Sequence, residues 1–329
     1  MTRILTGLLF VSAATAQLPR IGDINFYGLR RMTAEQILSA AHLAPGDTVP
    51  ASRIALEDRI IELPDVMDAQ VQSVCCEGDQ ATLFIGIQER GEAGAEFRPA
   101  PSGTATLPED LMTQYREYSG ASLRAEMNGH AGAPDPAIRR DQERFRLFAA
   151  AHILKLRAEL HTGPDEEQRA AAATVIEYSA NKKAAVDDLL FAIQDPDEGV
   201  RANALRALAA IAVVARRQPA LGIRIPPAGV VDLLNSVVLS DRVESTKVLL
   251  ALTERENAAA VDLIRERALP ALAEMARWQT RSYALAPFQL LGHVAGLKAA
   301  QVNESWEKGD RETVIQQALD SAAKKPGLQ

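Results

Sequence analysis

Between residues 19 and 90 the apolar positions change period several times. Ile24 and Phe26 lie two apart in the run 21–26, the spacing of a strand, and Gly28 permits a turn directly after it. Thr33 followed three residues later by Gln36 is a capping-box signature, and Ile37, Leu38 and Ala41 give the helix it opens an apolar stripe. A loop with Pro45, Gly46 and Asp47 ends that helix. A second helix is expected over 52–63, with Ile54, Ile60, Ile61 and Leu63 available for burial, until Pro64 stops it. Strands follow over 69–76 and 81–88, joined by a turn at 77–80. In the last strand Leu83, Ile85 and Ile87 share one face, as in a sheet covered on one side.

Pro99, Pro101, Gly103, Pro108, Gly129, Gly132, Pro134 and Pro136 then punctuate residues 91–137, which read as linker. Within it Leu111, Met112, Tyr115 and Tyr118 fall on adjoining turns of a short helix expected over 109–118, a segment that packs on the nearest domain or serves for docking. From residue 138 only the helical period survives. Val186, Leu189, Leu190 and Ile193 stripe one helix, Asp195-Pro196-Asp197-Glu198 breaks it, and Val200, Ala204, Leu205, Leu208 and Ile211 stripe the next. Shifted by 32 residues, Pro164, Asp165, Glu166, Arg169, Ala172 and Ile176 fall on Pro196, Asp197, Glu198, Arg201, Ala204 and Leu208, which marks an internal repeat. Weaker helix pairs are expected at 230–239 with 243–252 and at 263–278 with 283–297, with a capping helix over 311–322.

The β-α-α-β-β order of residues 18–90, with Ile24-Asn25-Phe26-Tyr27-Gly28, Pro45-Gly46-Asp47, Leu63-Pro64-Asp65-Val66 and the closing Gln88-Glu89, resembles the POTRA domain family. That resemblance implies a protein-binding module of bacterial envelopes. Such a module offers a sheet edge, here Ala69, Gln70, Val71, Gln72, Ser73 and Val74, to a peptide that adds a strand. The chain lacks the many alternating strands of a membrane barrel, so it is not expected to be the barrel itself. The stretch 195–208 resembles HEAT-like repeats, including those of phycobilisome-lyase proteins. The resemblance implies a ladder between neighbouring repeats built from Asp165, Arg169, Asp197 and Arg201. The expected architecture is a small α+β domain (βααββ, POTRA-like) over 18–90, a linker over 91–137, and an all-α HEAT-like superhelix over 138–325.

Composition narrows the function. With 47% hydrophobic and 24% charged residues the chain has material for packed cores, and a net charge of -7 argues against nucleic acid or an anionic membrane surface as partner. Arg3, the apolar run 4–11 and Ala14-Thr15-Ala16 read as a signal peptide over 1–16; a retained anchor and a buried helix are the alternatives. No other stretch approaches ~20 uninterrupted apolar residues. An exported protein is expected, periplasmic or secreted, or peripheral to the envelope. Adjacent Cys75 and Cys76 leave three states open: a strained ring, an intermolecular bond or free thiols, with one side chain inward and the other exposed as the favoured packing.

The five histidines are scattered and no nucleotide, acyl-transfer or zinc motif is present, so no catalytic residue, cofactor or metal is expected. Asp187 with Asp188, and Asp195 with Asp197, read as caps or solvated faces. The function expected is a non-catalytic protein-binding scaffold or adaptor with partners in the cell envelope, binding by strand edge and by the concave face of the repeats. An enzyme or enzyme-associated subunit of lyase-like or protease-associated type is the alternative. The oligomeric state is open.

Overall fold

The computed structural model describes residues 18–77, 80–127, 136–255 and 257–323. The segment 1–16, expected as a signal peptide, lies outside the described residues. The N-terminal unit runs β1 (Arg20–Tyr27), α1 (Ala34–Ala41), α2 (Arg53–Ile61), β2 (Val66–Glu77) and β3 (Gln80–Glu89). The sheet order is β1-β3-β2, with β1 parallel and β2 antiparallel to the central β3. The expected capping box forms at Thr33 and Gln36. One sheet face packs Val71, Leu83, Ile85 and Ile87 against Ile37, Leu56 and Ile60 of the two helices.

Two expectations for this unit are corrected. Ile54 and Ile61 are exposed, and α2 instead buries Leu56, Glu57 and Ile60. The helix is turned so that the Glu57 carboxylate reaches the Val71 N–H of β2 at 2.7 Å, which carries the i and i+7 isoleucines to solvent. The sheet is also covered on both faces. Phe84 and Gly86, on the face opposite Leu83 and Ile85, are buried against the helical part of the chain.

Residues 91–108 carry no helix or strand. They lead to α3 (Glu109–Met127), longer than expected, in which Leu111 and Met112 are buried in the helical core. The array continues with α4 (Pro136–Thr162, kinked at His152), α5 (Glu166–Ile176), α6 (Lys182–Ala192), α7 (Glu198–Arg217), α8 (Ala228–Asp232), α9 (Leu239–Thr253), α10 (Ala258–Arg267), α11 (Leu269–Ala276), α12 (Arg281–Val294), α13 (Ala299–Glu307) and α14 (Arg311–Ala323). Helices α5, α7, α9, α12 and α14 pack in succession along one row. The 32-residue offset reappears as cap geometry: Asp165 accepts from Gln168 N and Asp197 from Val200 N, each at 2.9 Å, at the starts of α5 and α7. Alanines 170–173 are all buried, and their small size lets neighbouring helices approach closely. The helix expected over 263–278 is broken at Ala268, with Pro270 in the first turn of α11. The one expected over 230–239 is α8 followed by a 3-10 turn, Leu233–Asn235.

Candidate functional site

The repeat array is held along its turns by a ladder of buried ion pairs. Arg169 grips Asp195 with two hydrogen bonds of 2.9 Å, and Arg201 grips Asp241 in the same two-pronged way, again at 2.9 Å. Arg242 continues the series to Glu274 at 3.3 Å. Each arginine also donates to the carbonyl six residues before it: Gly163, Asp195 and Ser236 respectively. Arg169, Arg201, Asp195 and Asp241 are nearly inaccessible to solvent, so these are desolvated bidentate contacts.

The four residues expected to form a ladder take two different places. Arg169 and Arg201 are rungs, but Asp165 and Asp197 are helix caps, and the acids come from the following repeat. A cap aspartate turns its carboxylate to the N–H groups of its own helix, which leaves it pointing away from the neighbouring guanidinium. Asp188 and Asp195 are likewise neither caps nor solvated: Asp188 is buried beneath Arg157 and His161, at 2.9 and 3.0 Å. Asp241, Arg242 and Glu274 were missed because the repeat spacing stretches to 40 residues between Arg201 and its acid. The adjacent Asp241-Arg242 pair was the only local signal.

The N-terminal unit and the strap of residues 91–108 lie across these turns and put aromatic rings on the arginines. Phe97 sits 3.8 Å from the Arg201 guanidinium carbon and Tyr27 4.7 Å from that of Arg242. Burial pushes the Arg242 pKa down, partly countered by Glu274, and burial pushes the Tyr27 phenol up. The Tyr27 hydroxyl donates to Val237 O at 2.9 Å. Further along the strap Arg98 lies on the Phe191 ring, its N–H donates to Gln194 O at 2.9 Å, and Gly103 N–H donates to Thr162 O at 2.9 Å.

The sheet docks farther down the same ridge. Phe84 meets Trp278 edge-on with centroids 5.0 Å apart, and Asn25 bonds both Gln279 N and Thr280 Oγ1. Gly86 is required here, since a Cβ would fall 2.4 Å from Val237 O. At Gly28, where φ is +82°, the N–H donates to the Glu274 carboxylate at 3.0 and 3.1 Å. Glu89 fixes the turn that follows. Burial raises its pKa, but the N–H groups of Arg30, Met32 and Arg31 and the Arg31 side chain outweigh this and hold it at about 2.

The edge Ala69, Gln70, Val71, Gln72, Ser73 and Val74 is the outer side of β2, which pairs within the sheet with β3. Since Val71 N–H bonds Glu57, the outward-facing groups are those of residues 69, 71 and 73. Ala69 N–H bonds Asp68 Oδ1 at 2.8 Å. Two of the three outward donors are thus occupied by carboxylates, a device that blunts an edge, and Ser73 supplies the third. Cys75 is exposed and disulfide-bonded; the Cys76 side chain lies outside the described residues.

A cleft of about 660 Å3 opens where the β1–α1 turn, the strap and α8, α10 and α11 meet. Gly28, Arg30, residues 92–96, Asp232, Arg242 and Arg267 line it. Elsewhere Glu159 is buried with neither carboxylate oxygen bonded; burial, with Asp165 nearby, pushes its pKa up to about 7 against the pull of Arg169. The described histidines stay apart: His161 is on Asp188 and His293 on Thr253. No group of three or more His, Cys, Asp or Glu side chains is placed to hold a metal among the described residues, and no described helix is long and apolar enough to cross a membrane.

These features define a HEAT-like helical-repeat solenoid with a small three-stranded sheet at its N-terminal end. Residues 153–222 match the HEAT repeats family. No curated protein matches the chain. Among solved structures, the designed armadillo repeat protein YIII(Dq)4CqI is 15% identical, over 64% of this chain and 99% of the other, with a TM-score of 0.36. A related design in complex with the peptide (KR)4 is 14% identical, over 65% and 98%, with a TM-score of 0.38. Neither likeness bears on what this chain binds.

Proposed function

We propose that the chain is an exported, non-catalytic protein-binding scaffold of the cell envelope, in which a POTRA-like sheet domain and a repeat array act as one body. The observation that carries this reading is the open part of the β2 edge around Ser73, on a sheet whose β1-β3-β2 order leaves β2 outermost. The buried acid-arginine pairs support a non-catalytic role, because their charges are consumed in holding repeats together. The sequence pattern of residues 1–16 supports export. Beyond the edge, the face of α7 and α9 presents Arg206 and Lys247 around Glu244, a polar surface for a second protein.

Photocrosslinking groups placed at Ser73 and at Lys247 in the full chain test this in intact cells. Crosslinks to an envelope protein from the group at position 73 are the expected result. An absence of crosslinks from both positions would overturn the scaffold reading, and a mature chain retaining residues 1–16 in the cytoplasm would overturn export.

A further inference from the structure

The cleft between strap, sheet and helices has features the edge-strand reading does not use. Its volume of about 660 Å3 is that of a ligand pocket. Its charged lining is mostly spent: Arg30 and Arg242 face Glu274, Arg267 faces Asp232 at 3.3 Å, and Glu89 is taken up by the β1–α1 turn. Glu92 and Glu96 have no ion partner among the described residues, and both are exposed. They flank residues 93–95, and the backbone N–H and C=O groups of residues 93–96 make no hydrogen bond among the described residues. Yet this stretch is held in place. Gln88 donates to Glu92 O at 2.8 Å, and Gly94 lies so close to the Gln88 amide that a Cβ would come within 2.8 Å of its oxygen. Arg98 N–H anchors the far end on Gln194 O. A backbone that is anchored at both ends and unpaired between them has donors and acceptors to offer another chain at little ordering cost.

We propose that this cleft binds a basic peptide segment of a partner protein, which pairs its backbone with residues 93–96 and sets a Lys or Arg side chain against Glu92 and Glu96. This site is separate from the β2 edge. The strap supplies both the main-chain ladder and the charge that selects the sequence.

Fluorescence anisotropy of the full chain with a labelled octapeptide of alternating valine and lysine tests the site. Saturable binding is expected, weakened about tenfold or more in the surface variant Glu92→Lys with Glu96→Lys, and absent for the valine–glutamate counterpart. The same basic peptide N-methylated at alternate residues keeps its charge and loses half its donors, and is expected to bind about tenfold more weakly or worse. Absence of saturable binding, undiminished binding by the double-lysine variant, or equal binding of the methylated peptide overturns the proposal. Ser73→Pro is expected to leave this binding unchanged; loss of binding in that variant alone would place the peptide on β2 and also overturn it. Failure here leaves the crosslinking at Ser73 untouched, so the two readings stand or fall separately.

Discussion

The Arg201 guanidinium carbon lies over the Phe97 ring, 3.8 Å from its centroid, while Asp241 closes the edge of the same guanidinium with two 2.9 Å hydrogen bonds. One arginine thereby joins three parts of the chain: the strap, the α6–α7 repeat and the α8–α9 repeat. Tyr27 does the same on Arg242, so the N-terminal region roofs a ladder that belongs to the repeats.

Replacing Arg201 with Met leaves the Asp241 carboxylate buried with the Ser236 hydroxyl as its remaining side-chain donor. Stability should fall by about 3–5 kcal/mol, read as a lower urea midpoint. The double variant Arg201→Met with Asp241→Leu should recover most of that loss, since no unpaired charge remains. A single variant within ~1 kcal/mol of the parent would show that the pair is solvated in solution.

Phe97→Ala acts locally. The cost to global stability should be about 1–2 kcal/mol, from lost ring packing and the cation contact. Amide exchange should quicken in residues 93–103 and stay unchanged in α1 and α2. Equal exchange in strap and sheet would mean that the strap is held elsewhere.

Gly86→Ala forces a methyl group toward Val237 O and the Tyr27 ring. The sheet should shift off the array, costing about 1–3 kcal/mol and moving Trp278 emission to longer wavelength as the ring meets water. Unchanged emission would mean that the seam absorbs the methyl.

Two glutamates should give opposite pH profiles. Glu89, held at about 2 in the folded chain, contributes stability above the ordinary carboxylate range that is lost as pH falls toward 2. Glu89→Gln should therefore destabilise at neutral pH, by about 3 kcal/mol, and matter much less in strong acid. Glu159, raised to about 7, contributes its stability below the ordinary carboxylate range and loses it as pH rises through 7. Glu159→Gln should leave the melting temperature unchanged near pH ~4 and raise it near pH ~8. Parallel shifts for the two variants would contradict these environments.

The legible parts of the fold were those set by short-range pattern. The capping box at Thr33, the apolar face Leu83-Ile85-Ile87 and the 32-residue offset each describe neighbours within one or two elements, where period and cap chemistry decide the outcome. The site was less legible. Arg169 and Arg201 could be picked out as equivalent, but their acids could not, and Arg242 escaped because its repeat lacks the Pro-Asp-Glu turn. Residues 91–108 read as linker from their prolines and glycines, and that composition says nothing about the turns on which they lie.

By itself the sequence determined that a βααββ unit precedes stacked helix pairs, because strand alternation, helical stripes and caps are local properties of the chain. Only the tertiary structure decided that Arg201 pairs with Asp241 instead of Asp165 or Asp197, that the second sheet face is covered, and that the strap borders a cleft. Each of those depends on how far one repeat is displaced from the next. That displacement is set by packing of side chains distant in sequence, down to a Gly86 with no room for a methyl group beside Val237 O.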